Sequence, residues 1–151
     1  MKPVVSRPSA AAVSMLRQAT KLFPKRSKAS DGLLPSAKHV LQNPNSDHNS
    51  GLAVDLTHDP VRGVDCKEIF NELKKDRRVS YLIHNNKIWS PEKGERRYRG
   101  ANPHKKHIHV SIKKEFARDT SNWFPWVDAK PTVVGTLKAA VQPAKKKTKS
   151  S

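Results

Sequence analysis

Cysteine is nearly absent from this chain. Cys66 stands alone, so no internal disulfide can form and no Cys-rich zinc ribbon or finger can be assembled. Stability has to come from a core or from a metal held by histidine and carboxylate. Long apolar runs are also missing: nothing approaches the ~20 consecutive apolar residues that span a bilayer. The opening stretch MKPVVSRPSAAAVSMLRQATKLF interrupts its apolar residues with Ser, Arg and Gln. No membrane insertion and no signal peptide are expected, and synthesis in the cytoplasm follows. Aromatic residues make up only 6% of the chain, too few to suggest base-stacking platforms. Acids are the remaining shortage: 13 Asp and Glu face 30 Lys and Arg, a formal charge of +17. The last 22 residues hold six Lys and no acid, and without them 24 bases still face 13 acids, leaving +11. The excess therefore covers the body as well as the tail and predicts attraction to polyanions.

At 151 residues the chain has the length of one domain. We expect an N-terminal lead over 1–8, a single domain over 9–129 and a basic, disordered tail over 130–151. In the segment 9–23, Val13, Leu16, Ala19 and Phe23 recur at helical spacing, with Ser9 placed to cap and Pro24 just beyond. Residues 24–32 read as loop, 35–43 as two helical turns and 43–51 as a run of turn formers. LAVDLT (52–57) alternates Leu52, Val54 and Leu56 against Ala53, Asp55 and Thr57, which predicts a strand with one buried face. Asp65 and Glu68 frame the start of a helix over 66–76 with Ile69, Phe70 and Leu73 inward. VSYLIH (79–84) and KIW (87–89), joined by Asn85 and Asn86, predict a hairpin. Residues 90–103 read as a long exposed loop, HIHVSI (107–112) as a strand, and NWFPWV (122–127) as an aromatic flap over the core. These elements add up to an α+β protein: a small antiparallel sheet with helices packed on one face.

Four of the seven histidines lie in SDHNSGLAVD (46–55) and HKKHIHV (104–110). A strand's period of two sends His107, His109 and Ser111 to one face of HIHVSI and the aliphatic residues to the other. Asp55 holds the matching place in LAVDLT. Paired strands would gather a carboxylate and two imidazoles over one surface, with His48 folding in from the preceding turn. Zinc accepts imidazole nitrogen and carboxylate oxygen at about 2.0–2.2 Å, and a catalytic site combines three protein ligands with an open position. Two His and one Asp meet that count, and a further His nearby can exchange protons near neutral pH. Lys105 and Lys106 leave a second possibility open, a phosphate-binding patch across 104–109.

The motif S-x-H-x-x-G-x-A-x-D is matched by Ser46, His48, Gly51, Ala53 and Asp55, and HIH supplies a closing H-x-H. In this the chain resembles the zinc peptidases of the Hedgehog/D-Ala-D-Ala-peptidase fold, which cut peptidoglycan stem peptides or crosslinks. The resemblance covers roughly residues 10–127. It implies that His48, Asp55 and His109 bind zinc and that His107 assists catalysis. The carboxypeptidase branch carries Glu three residues before the first His of H-x-H, where this chain has His104. The H-x-x-H-x-H arrangement is closer to the murein endopeptidase branch, so the general base lies between His107 and His104. FPKRSKASDG, SDHNSGLAVDLTHDP and YLIHNNKIW resemble small phage-encoded lysins.

The implied function is a zinc-dependent peptidoglycan peptidase of phage-lysin type, a monomer that acts at the bacterial wall after release, with its basic body on acidic wall polymers. Arg26 and Ser46 are its expected substrate-binding residues, Arg26 by pairing with a stem-peptide carboxylate. His39 and His58 are assigned structural or ligand-orienting places, and His84 none. Cys66 opens a helix, yet a small buried hydrophobe is the expectation over a nucleophile. The competing class is a basic nucleic-acid-binding protein or metal nuclease, for which no nucleic-acid motif is present and the peptidase spacing would be coincidence.

Overall fold

The computed structural model describes residues 4–35 and 37–129. The basic segment expected at 130–151 lies outside the described residues. The chain forms α1 (Ala10–Leu22), α2 (Ala37–Gln42), β1 (Ala53–Thr57), α3 (Cys66–Leu73), β2 (Val79–His84), β3 (Lys87–Ser90), β4 (Gly94–Arg97), β5 (His107–Ile112) and α4 (Pro125–Ala129). Five strands make one antiparallel sheet in the order β1-β5-β2-β3-β4. The α+β expectation therefore stands, with one strand more than expected.

Local chemistry starts and stops these elements where the sequence indicates. Ser9 caps α1 by accepting from the Ala12 amide, and Asp65 caps α3 by accepting from the Lys67 and Glu68 amides. Asn85 and Asn86 both adopt positive φ, the turn that matches the twist of a two-residue hairpin. The core lies on one face of the sheet. Val54, Leu56, Leu82, Ile108 and Val110 meet Met15 and Ala19 of α1 and Ile69, Phe70 and Leu73 of α3. Trp123 completes it, its indole N–H donating to the Ala11 carbonyl and the Ser14 hydroxyl, so the aromatic segment is part of the core rather than a flap over it.

Three expectations are corrected. In α1 the buried stripe is Ala11, Ala12, Met15 and Ala19, while Val13, Leu16 and Phe23 are only partly covered. Small side chains allow the helix to approach the sheet closely, and the larger ones fill its margins. In β1 both faces are covered, since Ala53 and Thr57 are buried along with Val54 and Leu56. The stretch 90–103 is not all loop: Gly94–Arg97 pairs with β3, and its charged residues hid it from a search for apolar alternation. Charge is what an edge strand carries to avoid pairing with other chains.

Candidate metal centre

The face of the sheet opposite the core carries the polar cluster. β1 and β5 pair so that Asp55 stands directly opposite His109 and Thr57 opposite His107. The register thus brings a carboxylate and two imidazoles onto one surface, as the alternation predicted. His48 arrives from a 3-10 turn, Asp47–Ser50, immediately before β1. Ser46 starts that turn by accepting from the His48 amide at 3.2 Å. Gly51 ends it at φ 74°, and a Cβ there would lie 2.9 Å from the Arg7 carbonyl, so the motif glycine is required twice over.

Asp55 Oδ1 lies 3.3 Å from His48 Nε2, 3.2 Å from His109 Nδ1 and 3.7 Å from His107 Nε2. One donor atom from each of His48, Asp55 and His109 falls within 4.8 Å of the others. The three residues can therefore hold a metal ion. Neighbours set which ring nitrogen faces inward. His48 Nδ1 is 2.8 Å from the Leu33 carbonyl, which can only accept, so Nδ1 carries the hydrogen and Nε2 points at Asp55. His109 Nε2 is 2.8 Å from the Ser111 hydroxyl, which leaves Nδ1 toward Asp55. Burial works against charging either group, yet Asp55 holds His48 above its ordinary pKa, and the two histidines hold the Asp55 carboxyl well below the usual carboxylate range. The donor set of two imidazoles and one carboxylate could hold a metal ion.

His104 and His107 stand beside this group, with ring centroids 4.9 Å apart and His104 5.9 Å from His109. The His104 Nδ1–H donates to the Asn102 carbonyl at 2.7 Å, which frees Nε2. Burial, then the nearby His109 and His107, pushes His104 down to about 4, so the ring is neutral at neutral pH. Its backbone has φ 58°, a left-handed conformation disfavoured for a residue with a Cβ. Tyr81 stacks on His109 at 5.4 Å, and Tyr98 meets His104 edge-on at 5.4 Å. The cluster forms the floor of a cavity of about 770 Å³ that is also lined by Ser46, His39 and Tyr98.

The remaining expectations divide. Ser46 lines the cavity, and its hydroxyl caps the turn. Arg26 is a correction. It is buried, both terminal nitrogens bind Asp31 at 3.0 and 2.8 Å, and it does not line the cavity. The sequence contains both partners but not their pairing, which needs the loop after α1 to fold back. Asp31 also accepts from the Thr57 amide and hydroxyl, and the neighbouring Gly32 bridges to the backbone of Asp55. Arg26 thus braces β1 rather than meeting a ligand. Lys105 and Lys106 are exposed while His104 and His107 line the cavity, so the basic and imidazole groups of that stretch separate. His58 accepts from the Cys66 amide, and Cys66 is a buried core residue whose thiol is pushed up by burial, which leaves no nucleophile there. Sequence reasoning gave Ser111 only its face of the strand, not its bond to His109, and missed Tyr81, for which no pattern spoke.

A protein-family profile described as VldE, C-terminal domain matches residues 6–109, more than half the chain and all of the cluster above. No curated protein and no solved structure matches.

Proposed function

The chain belongs to the family described as VldE, C-terminal domain, and on that premise we propose from its own residues that it is a zinc-dependent peptidase cutting stem-peptide or crosslink amide bonds of bacterial peptidoglycan, on a Hedgehog/D-Ala-D-Ala-peptidase-like fold. The observation that carries this reading is the convergence of His48, Asp55 and His109 from a turn and two paired strands. Two imidazoles and one carboxylate favour zinc over magnesium or calcium, which prefer oxygen donors.

A zinc ion held there would lower the pKa of a water molecule to about 7 and polarise a carbonyl. The protein supplies the rest. His48, Asp55 and His109 would hold the ion, with Leu33 and Ser111 fixing the two rings. His104 Nε2, or His107 beside it, takes the proton of the attacking water and returns it to the leaving amine. A C–O bond forms as the C–N bond breaks, without a covalent enzyme intermediate. With Arg26 committed to Asp31, it does not serve a terminal carboxylate, which supports cleavage of an internal bond. The basic body would hold the protein on acidic wall polymers, as a phage-type lysin released to the wall requires.

Zymography on purified peptidoglycan tests the reading, run with and without a chelator and with His109→Ala, using plasmid DNA as control substrate. Clearing is expected from the metal-loaded parent alone. Clearing that survives both treatments sinks the proposal, and DNA breakdown without clearing favours the nuclease alternative.

A further inference from the structure

We propose that His84, which does not line the cavity, is a positioning residue that clamps the His104–His107 segment in the geometry catalysis needs. His84 closes β2 and is 7% exposed. Its Nδ1 lies 3.0 Å from the His104 carbonyl and 3.0 Å from the His107 carbonyl. Both acceptors lack hydrogens, so Nδ1–H is the donor and is shared between them. One imidazole therefore ties together the two ends of His104-Lys105-Lys106-His107. Burial lowers the basicity of the ring and keeps it neutral in this role.

Backbone bonds complete the clamp. The Asn85 amide donates to the His104 carbonyl at 3.0 Å, the Asn86 amide to the Pro103 carbonyl at 2.9 Å and the His58 amide to the Lys106 carbonyl at 2.8 Å. The His58 ring packs against that of His84 at 5.3 Å. His104 is held at φ 58° within this frame. A disfavoured backbone persists only where its surroundings over-determine it, and here the overdetermined residue is a candidate proton acceptor. The carbonyls of Pro103, His104, Lys106 and His107 accept these bonds, and the imidazoles of His104 and His107 line the cavity.

The kinetic part of this inference rests on the hydrolase reading; the structural part does not. The test uses the full metal-loaded chain with His84→Leu, which removes the donor, and His84→Asn, whose amide nitrogen stands near the place of Nδ1. His84→Leu should retain parental metal stoichiometry, exchange amide hydrogens faster at His58, Asn85 and Asn86, the donors to this segment, and lose kcat by about 100-fold with KM little changed, the scale of a misplacement near 1 Å. His84→Asn should recover slow exchange and most of kcat. Unchanged exchange in His84→Leu, kcat within about twofold of the parent, or losses that His84→Asn does not recover would each overturn the clamp. If the parent itself shows no activity on peptidoglycan, the hydrolase reading fails while amide exchange still decides the clamp.

Discussion

Asp55 shows how much one side chain owes to its neighbours. A half-buried carboxylate is costly without a partner, and this one has imidazole nitrogens at 3.2, 3.3 and 3.7 Å. Its two nearest histidines are oriented by groups that never touch it, the Leu33 carbonyl and the Ser111 hydroxyl. Ser111→Ala removes the partner of His109 without adding bulk. We expect metal affinity to fall by about 10–100-fold with the fold intact, read by competition with a chromophoric chelator. Unchanged affinity would show that Ser111 does not orient the ligand. Motif spacing made His48, Asp55 and His109 legible, because a strand's alternation and a turn's composition are local. The partners of their far nitrogens were not, because a backbone carbonyl has no residue type and Leu33 is distant in sequence.

At the scale of elements, caps and turns follow local rules, and edges do not. The cap of α3 is expected to respond accordingly: Asp65→Ala leaves the Lys67 and Glu68 amides without their acceptor and should cost about 1 kcal/mol. Thermal unfolding should register it as a drop of about 2–5 °C. The loop between α1 and β1 behaves differently, because it is held by Arg26 on Asp31. Burial alone would raise the Asp31 carboxyl, but hydrogen bonds from Arg26 and Thr57 outweigh it and hold the group below its ordinary 3.8. A depressed carboxyl stabilises the fold fully above that value and loses the contribution as pH falls through the folded pKa. Asp31→Asn should therefore be less stable than the parent at neutral pH by about 3 kcal/mol, since it leaves a buried guanidinium unpaired. In denaturant titrations at several pH values, that gap should narrow as pH falls below 3.8. A gap independent of pH would contradict the pairing. Strand β4 escaped sequence reading because its Glu95, Arg96 and Arg97 show no apolar alternation, and only pairing with β3 reveals it.

For the molecule as a whole, charge and chemistry occupy different places. The excess of bases covers the body and the tail, whereas the cavity floor is built from imidazoles and one carboxylate. Adsorption to peptidoglycan carrying acidic polymers should weaken sharply between about 0.05 and 0.5 M salt as the screening length shrinks below 10 Å. Turnover of a short neutral peptide substrate should change far less over that range, and equal salt sensitivity of both would tie the charge to the site itself. Among the described residues no helix is long and apolar enough to cross a membrane. By itself the sequence determined the class of fold, the caps of α1 and α3, the β2–β3 hairpin and the identity of the His and Asp residues that meet, because each depends on spacing within one or two elements. Only the tertiary structure decided that Arg26 braces Asp31, that both faces of β1 are covered and that His84 reaches two carbonyls of the HKKH segment. Those outcomes depend on which distant segments share a surface, and that is set by packing of the whole core rather than by any pattern along the chain.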